Sequence, residues 1–177
     1  MTWKLLPDKK IQLISTARVL EQEECDKIVS DLKGADHRLV HGNEFFYSHI
    51  VMEPHMFGHV YEKVTSAVLD SVVNNYGFKV QSIPALYYVE FSRSQFMDWS
   101  MDLTYSGRET AKLSLHIPLN EGYDDGNFIV RTPRDTIVSP KPGVLTIFPS
   151  FVASRQDQPT RGTKKAIFGT IAGLPFT

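Results

Sequence analysis

The segment ALYYVEFSRSQFMDWSMD, residues 85–102, decides the fold class that this sequence predicts. Its first part, 85–92, is rich in aromatic and β-branched residues, which is typical of a strand. Asp102, three residues after Trp99, supplies a carboxylate of the kind that binds metal ions. Ser100, two residues before Asp102, is a neutral hydroxyl and a weak metal ligand. The segment therefore raises the question of whether a metal site here is working, rebuilt or lost.

A series of short strands is predicted around this segment. Turn-forming clusters, among them NEGYDDGN and SPKPG, separate runs with strand character. The predicted strands cover residues 78–83, 85–92, 111–119, 126–131, 134–139, 143–149 and 163–172. Seven or more short strands that follow two helices predict an α+β jelly roll or sandwich buttressed by those helices.

The two predicted helices lie in the N-terminal half. Residues 11–20 are predicted to form a strand that leads into a helix over 21–33, whose first turn is acidic. Residues 45–52 form another predicted strand. The second helix begins at Pro54, because proline is well tolerated at a first helical position. Apolar residues then recur at three- and four-residue steps to about Asn75, which gives this helix one apolar face.

Length and composition limit the class of protein. The 177 residues suffice for one domain with a hydrophobic core, so a single domain is predicted over 1–177. Its helix-bearing half is 1–77, and the core jelly-roll strands lie in 78–177. The net charge of −1 argues against broad nonspecific binding to nucleic acids or membranes. The only cysteine, Cys25, excludes an intramolecular disulfide, and we expect no signal peptide or membrane span.

Four segments together resemble the prolyl 4-hydroxylase-like branch of the iron(II)- and 2-oxoglutarate-dependent oxygenases. RVLEQEECDKIVSDL (18–32) is similar to the opening strand and helix of that family. LYYVEFSRSQFMDWSMD (86–102) is similar to the segment that ends in its His-x-Asp motif. KLSLHIPLNEGYDDGNFIV (112–130) and PKPGVLTIFPSFVASRQDQPTRGTKKAIFGTIAG (140–173) are similar to its later strands and turns. The resemblance implies a double-stranded β-helix, a cupin-like jelly roll, with the N-terminal helices packed behind the larger sheet.

The resemblance also assigns the former metal-ligand positions. The family binds iron(II) through the His and Asp of His-x-Asp and a distal His, and a basic residue about ten positions later pairs with 2-oxoglutarate. In this sequence Asp102 is retained, but Ser100 and Ser154 occupy the two histidine positions, and Lys164 holds the basic position. DWSMD (98–102) is then interpreted as an inherited turn at the mouth of the jelly roll.

Two serines at ligand positions predict a degenerate metal site, because a neutral hydroxyl is a weak ligand for iron(II) and imidazole is a good one. His116 is the candidate substitute ligand, if its face of the predicted strand lines the barrel; otherwise it is a packed or solvated histidine. His55 and His59, four residues apart on the second helix, form a weaker candidate pair. Tyr88, or its neighbour Tyr87, is a candidate to face the cosubstrate pocket together with Lys164.

The leading hypothesis is therefore a catalytically degenerate oxygenase-fold protein that acts as a structural or protein-interaction module. It predicts no cofactor, and protein partners in a large assembly. Related genes are frequent in bacteria and tailed bacteriophages, so the expected location is the cytoplasm or a virion, in a tail, neck or baseplate. The alternative is an active 2-oxoglutarate-dependent protein hydroxylase that uses iron(II) at an atypical site, with Asp102 and His116 or another donor. A third hypothesis is a small-ligand binder that retains Lys164.

Overall fold

Thirteen strands and two helices are found in the residues that the computed structural model describes, 13–104 and 109–175. The helices are α1 (Gln22–Asp31) and α2 (Pro54–Ser71), the second continued by a π-helical turn, Val72–Tyr76. The strands are β1 (Ser15–Arg18), β2 (Arg38–His41), β3 (Phe45–Met52), β4 (Leu86–Phe91), β5 (Phe96–Ser100), β6 (Thr110–Pro118), β7 (Asp124–Asp125), β8 (Phe128–Val130), β9 (Thr136–Ile137), β10 (Val144–Pro149), β11 (Ser154–Gln156), β12 (Pro159–Arg161) and β13 (Lys164–Gly173).

Eleven of the strands form one curled antiparallel sheet in the order β1-β10-β6-β13-β4-β3-β5-β11-β8-β9, with β2 also paired to β3. In this spatial order, the six strands from β1 to β3 form the larger half-sheet, and the four strands from β5 to β9 form the smaller half-sheet. Strand β3 joins them, because Phe45 and Phe46 pair with β5 whereas residues 48–52 pair with β4. Strands β7 and β12 form a separate two-stranded antiparallel pair. This curled sheet, with its two helices, confirms the predicted α+β jelly roll.

The helices pack against the outer face of the larger half-sheet. In α2 the side chains of Val60, Val64 and Val68 recur at four-residue steps, and all are buried. They belong to one apolar core with Leu115 and Ile117, which project from the same face of β6. The expectation that the helices lie behind the larger sheet is confirmed.

Cys25 is buried in the same core, on α1, as a packed thiol. Burial, the largest cause, raises the pKa of this thiol to about 11, so at neutral pH it is a protonated apolar group. Neither described helix is long and apolar enough to cross a membrane.

A second apolar core fills the space between the two half-sheets. Phe128, Val130, Val138 and Phe148 form it, and Phe168 packs against it. Every second residue of β6 faces this interior, because successive side chains of a strand point to opposite faces. The sheet therefore has an apolar core on each face, and the interior core is the one that borders the candidate site.

Several elements differ from those predicted. Residues 78–83 form no strand beyond a single bridge between Ser82 and Ala172. The predicted turn DWSMD is wrong, because residues up to Ser100 belong to β5, which is paired on both sides. Strands β2, β7, β11 and β12 were not predicted. Each has only two to four residues, and all of them except β2 pair with strands far away in the chain. Of the predicted strand 11–20, residues 11 and 12 lie outside the described part.

The packing of α2 gives a test of the fold. Val64 is fully buried, whereas Val73, in the turn that follows the helix, is 81% exposed. Val64→Ala should lower the free energy of unfolding by roughly 1–3 kcal/mol, because two methyl groups leave a packed core. The matched change Val73→Ala should alter it by less than about 0.5 kcal/mol. Urea denaturation followed by circular dichroism measures both, and equal effects would contradict this packing.

Candidate functional site

The two serines at former ligand positions face each other across a strand pair. Ser100 ends β5 and Ser154 begins β11, and the two are direct register partners in the antiparallel ladder. Asp102 follows β5, and its backbone N–H donates a hydrogen bond to the carbonyl of Ser150 at 3.0 Å, just before β11. Strand pairing therefore brings Ser100, Asp102 and Ser154 to one end of the smaller half-sheet.

These three residues line a pocket of about 430 Å³ between the half-sheets. Six rings line it, those of Tyr47, His49, Tyr87, Phe128, Phe148 and Phe168. Its polar lining residues come from both half-sheets and are Ser100, Asp102, Thr104, Ser114, Ser154 and Thr170. The pocket is thus an aromatic cleft with one acidic group.

The Asp102 carboxylate is held by a hydroxyl. Ser114 Oγ donates a hydrogen bond to Asp102 Oδ2 at 2.5 Å and lies 3.4 Å from Ser150 Oγ. Although Asp102 as a whole residue is exposed, its carboxylate turns into the pocket. Burial there raises the pKa of the carboxyl, and the hydrogen bond from Ser114 acts in the opposite direction. Within residues 13–104 and 109–175 this carboxylate forms no ion pair.

This set of donors does not fit an iron(II) centre. A facial iron site of the oxygenase type needs two imidazoles and a carboxylate, whereas the pocket offers one carboxylate and neutral hydroxyls. In the described part of the chain no group of three or more His, Cys, Asp or Glu side chains is placed to hold a metal ion. We therefore assign no reaction step to a metal at this pocket.

His116 faces the barrel interior but lies away from Asp102. Its ring stacks on Phe128 with centroids 4.3 Å apart and meets the edge of Phe168 at 5.0 Å. The side chain is fully buried, and neither ring nitrogen has a hydrogen-bond partner among the residues that the structure describes. Burial first, and then the charge of Lys164, hold the pKa of His116 well below its usual range. His116 is therefore a neutral member of the aromatic core, and the structure does not bring it into the pocket with Asp102.

Lys164, at the start of β13, is buried and paired inside the protein. Its Nζ donates hydrogen bonds to Gln156 Oε1 at 2.7 Å and to the Gly126 carbonyl at 3.0 Å. The Gln156 amide in turn donates to the carbonyls of Gly126 at 2.8 Å and Asp157 at 2.7 Å. Burial lowers the pKa of Lys164 to about 7, and the charge of Asp157 opposes that shift.

Gln156 is the residue that the sequence analysis missed. It lies two residues after Ser154 on β11, so both side chains point to the same face of the smaller half-sheet. The two-residue spacing from Ser154 is visible in the sequence, so the shared face of these two residues could have been predicted. A small cavity of about 20 Å³ beside Lys164 and His116 is large enough for about one water molecule.

Tyr88 does not line the pocket. It is 1% exposed in the core beneath the helices, and its hydroxyl donates to Glu90 Oε1 at 2.7 Å. Tyr87 points to the other face of β4 and lines the pocket. Tyr87, and not Tyr88, is therefore the tyrosine of this pair that faces the pocket. His55 and His59 are exposed on α2, away from any group that could complete a metal site in the described residues.

The outer face of the smaller half-sheet carries a cation–aromatic stack. The guanidinium of Arg131 lies 3.8 Å from the centre of the Trp99 ring, and that of Arg155 lies 5.0 Å away. Arg131 also pairs with Asp135 at 3.0 Å. The stack joins β5, β11 and the end of β8 on the side opposite to Ser100, and it helps to fix the strand that carries that serine.

Comparisons with known proteins bear on the fold. No family model matches the sequence, and no curated protein matches it. A prolyl-4-hydroxylase from Pseudomonas putida superposes with a TM-score of 0.76 at 13% identity, over 90% of this chain and 91% of that one. A viral collagen prolyl hydroxylase from Paramecium Bursaria Chlorella virus-1 gives 0.74 at 12% identity, over 92% and 97%. A 2OG-Fe(II) oxygenase family protein from Burkholderia pseudomallei gives 0.70 at 11% identity, over 91% and 85%. At these identities the likeness concerns the fold: this chain has the jelly roll of the prolyl 4-hydroxylase-like oxygenases.

Proposed function

We propose that this chain is a catalytically degenerate oxygenase-fold protein that serves as a structural or protein-interaction module. The observation that carries the proposal is the donor set of the pocket, in which Ser100 and Ser154 flank the single carboxylate of Asp102. Removal of even an indirect partner of a metal ligand costs about 10–100-fold in metal affinity or activity, so loss of two direct imidazole ligands costs more.

The arrangement around Lys164 supports the same conclusion. A basic residue that receives 2-oxoglutarate must have a hydrogen-bonding direction open to the ligand. Here two of the three ammonium N–H donors already bond to acceptors inside the protein, Gln156 Oε1 and the Gly126 carbonyl. The adjoining cavity of about 20 Å³ has no room for a dicarboxylate. Phe128 lines both this cavity and the larger pocket, so its ring lies in the wall between them.

Exposed apolar side chains near the pocket support a role in protein contacts. We define the rim as Phe45, Val51, Tyr87, Met101 and Leu103, which are 37–60% exposed. Val51 and Tyr87 are register partners on β3 and β4, and the two rim residues Met101 and Leu103 flank Asp102 in the chain. Apolar groups that cluster around a cleft are typical of interaction sites. The narrower expectation of a virion component in a large assembly stays a prediction, tested by the mass of the native particle.

The alternative function is an active 2-oxoglutarate-dependent hydroxylase with an atypical metal site. What favours it is the fold shared with prolyl hydroxylases together with the retained Asp102 and a pocket beside it. The donor set and the paired state of Lys164 weigh against it. The two functions differ in whether iron and 2-oxoglutarate bind, which can be measured directly.

Restoring the imidazoles should restore metal binding. We expect the purified wild-type protein to contain no stoichiometric iron and to release no succinate from 2-oxoglutarate. Ser100→His with Ser154→His should bind Co(II) at one ion per chain, because two imidazoles join Asp102 across paired strands. Visible absorption of Co(II) and metal analysis measure the binding.

The controls for this double variant are its two single variants and the double variant with Asp102→Asn. Each lacks one ligand of the restored set and should bind Co(II) more weakly by about tenfold or more. Succinate release by iron-containing wild-type protein would refute the proposed function. A folded double variant that binds no Co(II) would show that these three positions do not converge as ligands.

Burial of Lys164 should make the free energy of unfolding depend on pH. Its folded pKa, about 7, lies below the unfolded value of about 10.4. Between these values the unfolded chain binds more protons, so the free energy of unfolding should rise with pH. This rise corresponds to at most about a factor of ten in the unfolding equilibrium constant per pH unit. It should be absent in Lys164→Met, as measured by urea denaturation from pH 7 to 10.

Lys165→Met is the matched control, because Lys165 is the next residue of β13 and its side chain is 25% exposed. This variant should keep the wild-type pH dependence. Added 2-oxoglutarate should leave the wild-type curve unchanged, since Lys164 is already paired. Parallel curves for wild type and Lys164→Met would contradict the buried, paired state of Lys164.

A further inference from the structure

The pocket contains an acidic group, Asp102, that forms no ion pair within residues 13–104 and 109–175. Within the described residues, the only group that donates a hydrogen bond to the Asp102 carboxylate is the Ser114 hydroxyl, and that bond reaches Oδ2. A carboxylate drawn out of water is poorly compensated by one neutral hydroxyl. Within the described residues its second oxygen, Oδ1, accepts no hydrogen bond, and Asp102 lines the pocket. The pocket therefore favours an occupant that brings a positive charge.

Two more hydrogen-bonding groups face the same space. Ser154 is only 9% exposed and lines the pocket, and Ser100 lies directly opposite to it across the strand pair. In the part of the chain that the structure describes, neither hydroxyl has a hydrogen-bond partner. Each can accept a hydrogen bond as well as donate one. Together with Asp102 Oδ1 they offer three acceptors to an occupant with several N–H donors.

The aromatic wall suits the same kind of occupant. The rings of Tyr47 and His49 lie 6.0 Å apart and those of His49 and Tyr87 lie 5.5 Å apart, so the three form a continuous wall. The faces of aromatic rings attract organic cations, most strongly where water is excluded. Burial, and then the charges of Arg38 and His37, lower the pKa of His49. The neutral form of the His49 ring is therefore favoured, and a neutral ring brings no charge of its own to the wall.

We propose that this pocket receives an arginine side chain of a partner protein. The guanidinium lies against Asp102 and the hydroxyls of Ser100 and Ser154, and its plane stacks on the aromatic wall. Arginine fits better than lysine, because its planar fork presents five donors to acceptors that are spread apart, whereas an ammonium group is a compact point charge. The exposed apolar rim favours a protein as the source, because it can pack against the residues beside the arginine.

This inference deepens the proposed function, on which it rests, since it takes the carboxylate to be free of iron. The probe is the blocked tripeptide acetyl-Leu-Arg-Leu-amide, and its neutral analogue carries citrulline in place of arginine. Titration calorimetry with the full chain should show binding of the arginine peptide. The citrulline peptide should bind about 10–100-fold more weakly, as expected when a charge-assisted hydrogen bond is lost.

Asp102→Asn should weaken binding of the arginine peptide by a similar factor, because the amide keeps the size of the side chain and removes its charge. Asp98→Asn is the matched control: it makes the same change in net charge four residues earlier, at an exposed residue whose side chain contacts the Trp99 backbone instead of the pocket. This control should bind the peptide as wild type does. Thermal melts of both variants verify that they are folded.

Equal binding of the arginine and citrulline peptides, or unchanged binding by Asp102→Asn, would overturn the proposal. Agmatine that binds as tightly as the peptide would overturn its partner-protein part. A parallel titration with Co(II) distinguishes failure of the arginine site from failure of the proposed function. Stoichiometric Co(II) binding that displaces the peptide would contradict the proposed function itself, whereas absence of both Co(II) and peptide binding would reject the arginine site alone.

Discussion

The pairing of β3 with two different strands is the constraint on which the rest of the structure depends. Its first residues pair with β5 and its later residues pair with β4, so one continuous strand belongs to both half-sheets. The backbone hydrogen bonds of β3 therefore hold the two half-sheets together where the sheet curls. The curl creates the interior between the half-sheets. It also places the aromatic face of β3, with Tyr47 and His49, opposite the end of β5.

The two faces of the larger half-sheet have then taken different roles. The outer face is covered by two helices and forms the main apolar core, where Tyr88 and the leucines of β6 are buried. The inner face carries Ser114 and His116 in the same strand, one at the pocket and the other in the aromatic core. Alternation along a strand thus separates stabilising residues from those available for binding.

Much of this could be predicted from sequence, for identifiable reasons. Strand β3 was predicted at its observed bounds, because 45–52 is rich in aromatic and β-branched residues and lies between clear breaks. The helix α2 shows a regular apolar stripe, which is a local signal. In contrast, β5 and β11 have only five and three residues, and they form because each pairs with strands far away in the chain. The placement of Tyr87 and Tyr88 also needed the structure, since adjacent strand residues point oppositely and only the packing of the helices shows which face is outer. Gln156 was not predicted as a site residue, because its role depends on the burial of Lys164, which the sequence alone does not show.

The pairing of Gln156 with Lys164 has a consequence for how these two residues can be replaced. The pocket that contains Asp102 and the cavity beside Lys164 are separate, although Phe128 lines both. New histidines at one cavity leave the amide–lysine pair in the other intact, and removal of Gln156 alone leaves a buried lysine with only the Gly126 carbonyl as acceptor. Replacement of Gln156 alone should therefore lower stability, because the ammonium group loses an acceptor while it stays buried. Replacement of both residues by apolar ones avoids that loss, so positions 156 and 164 should vary as a pair rather than one at a time.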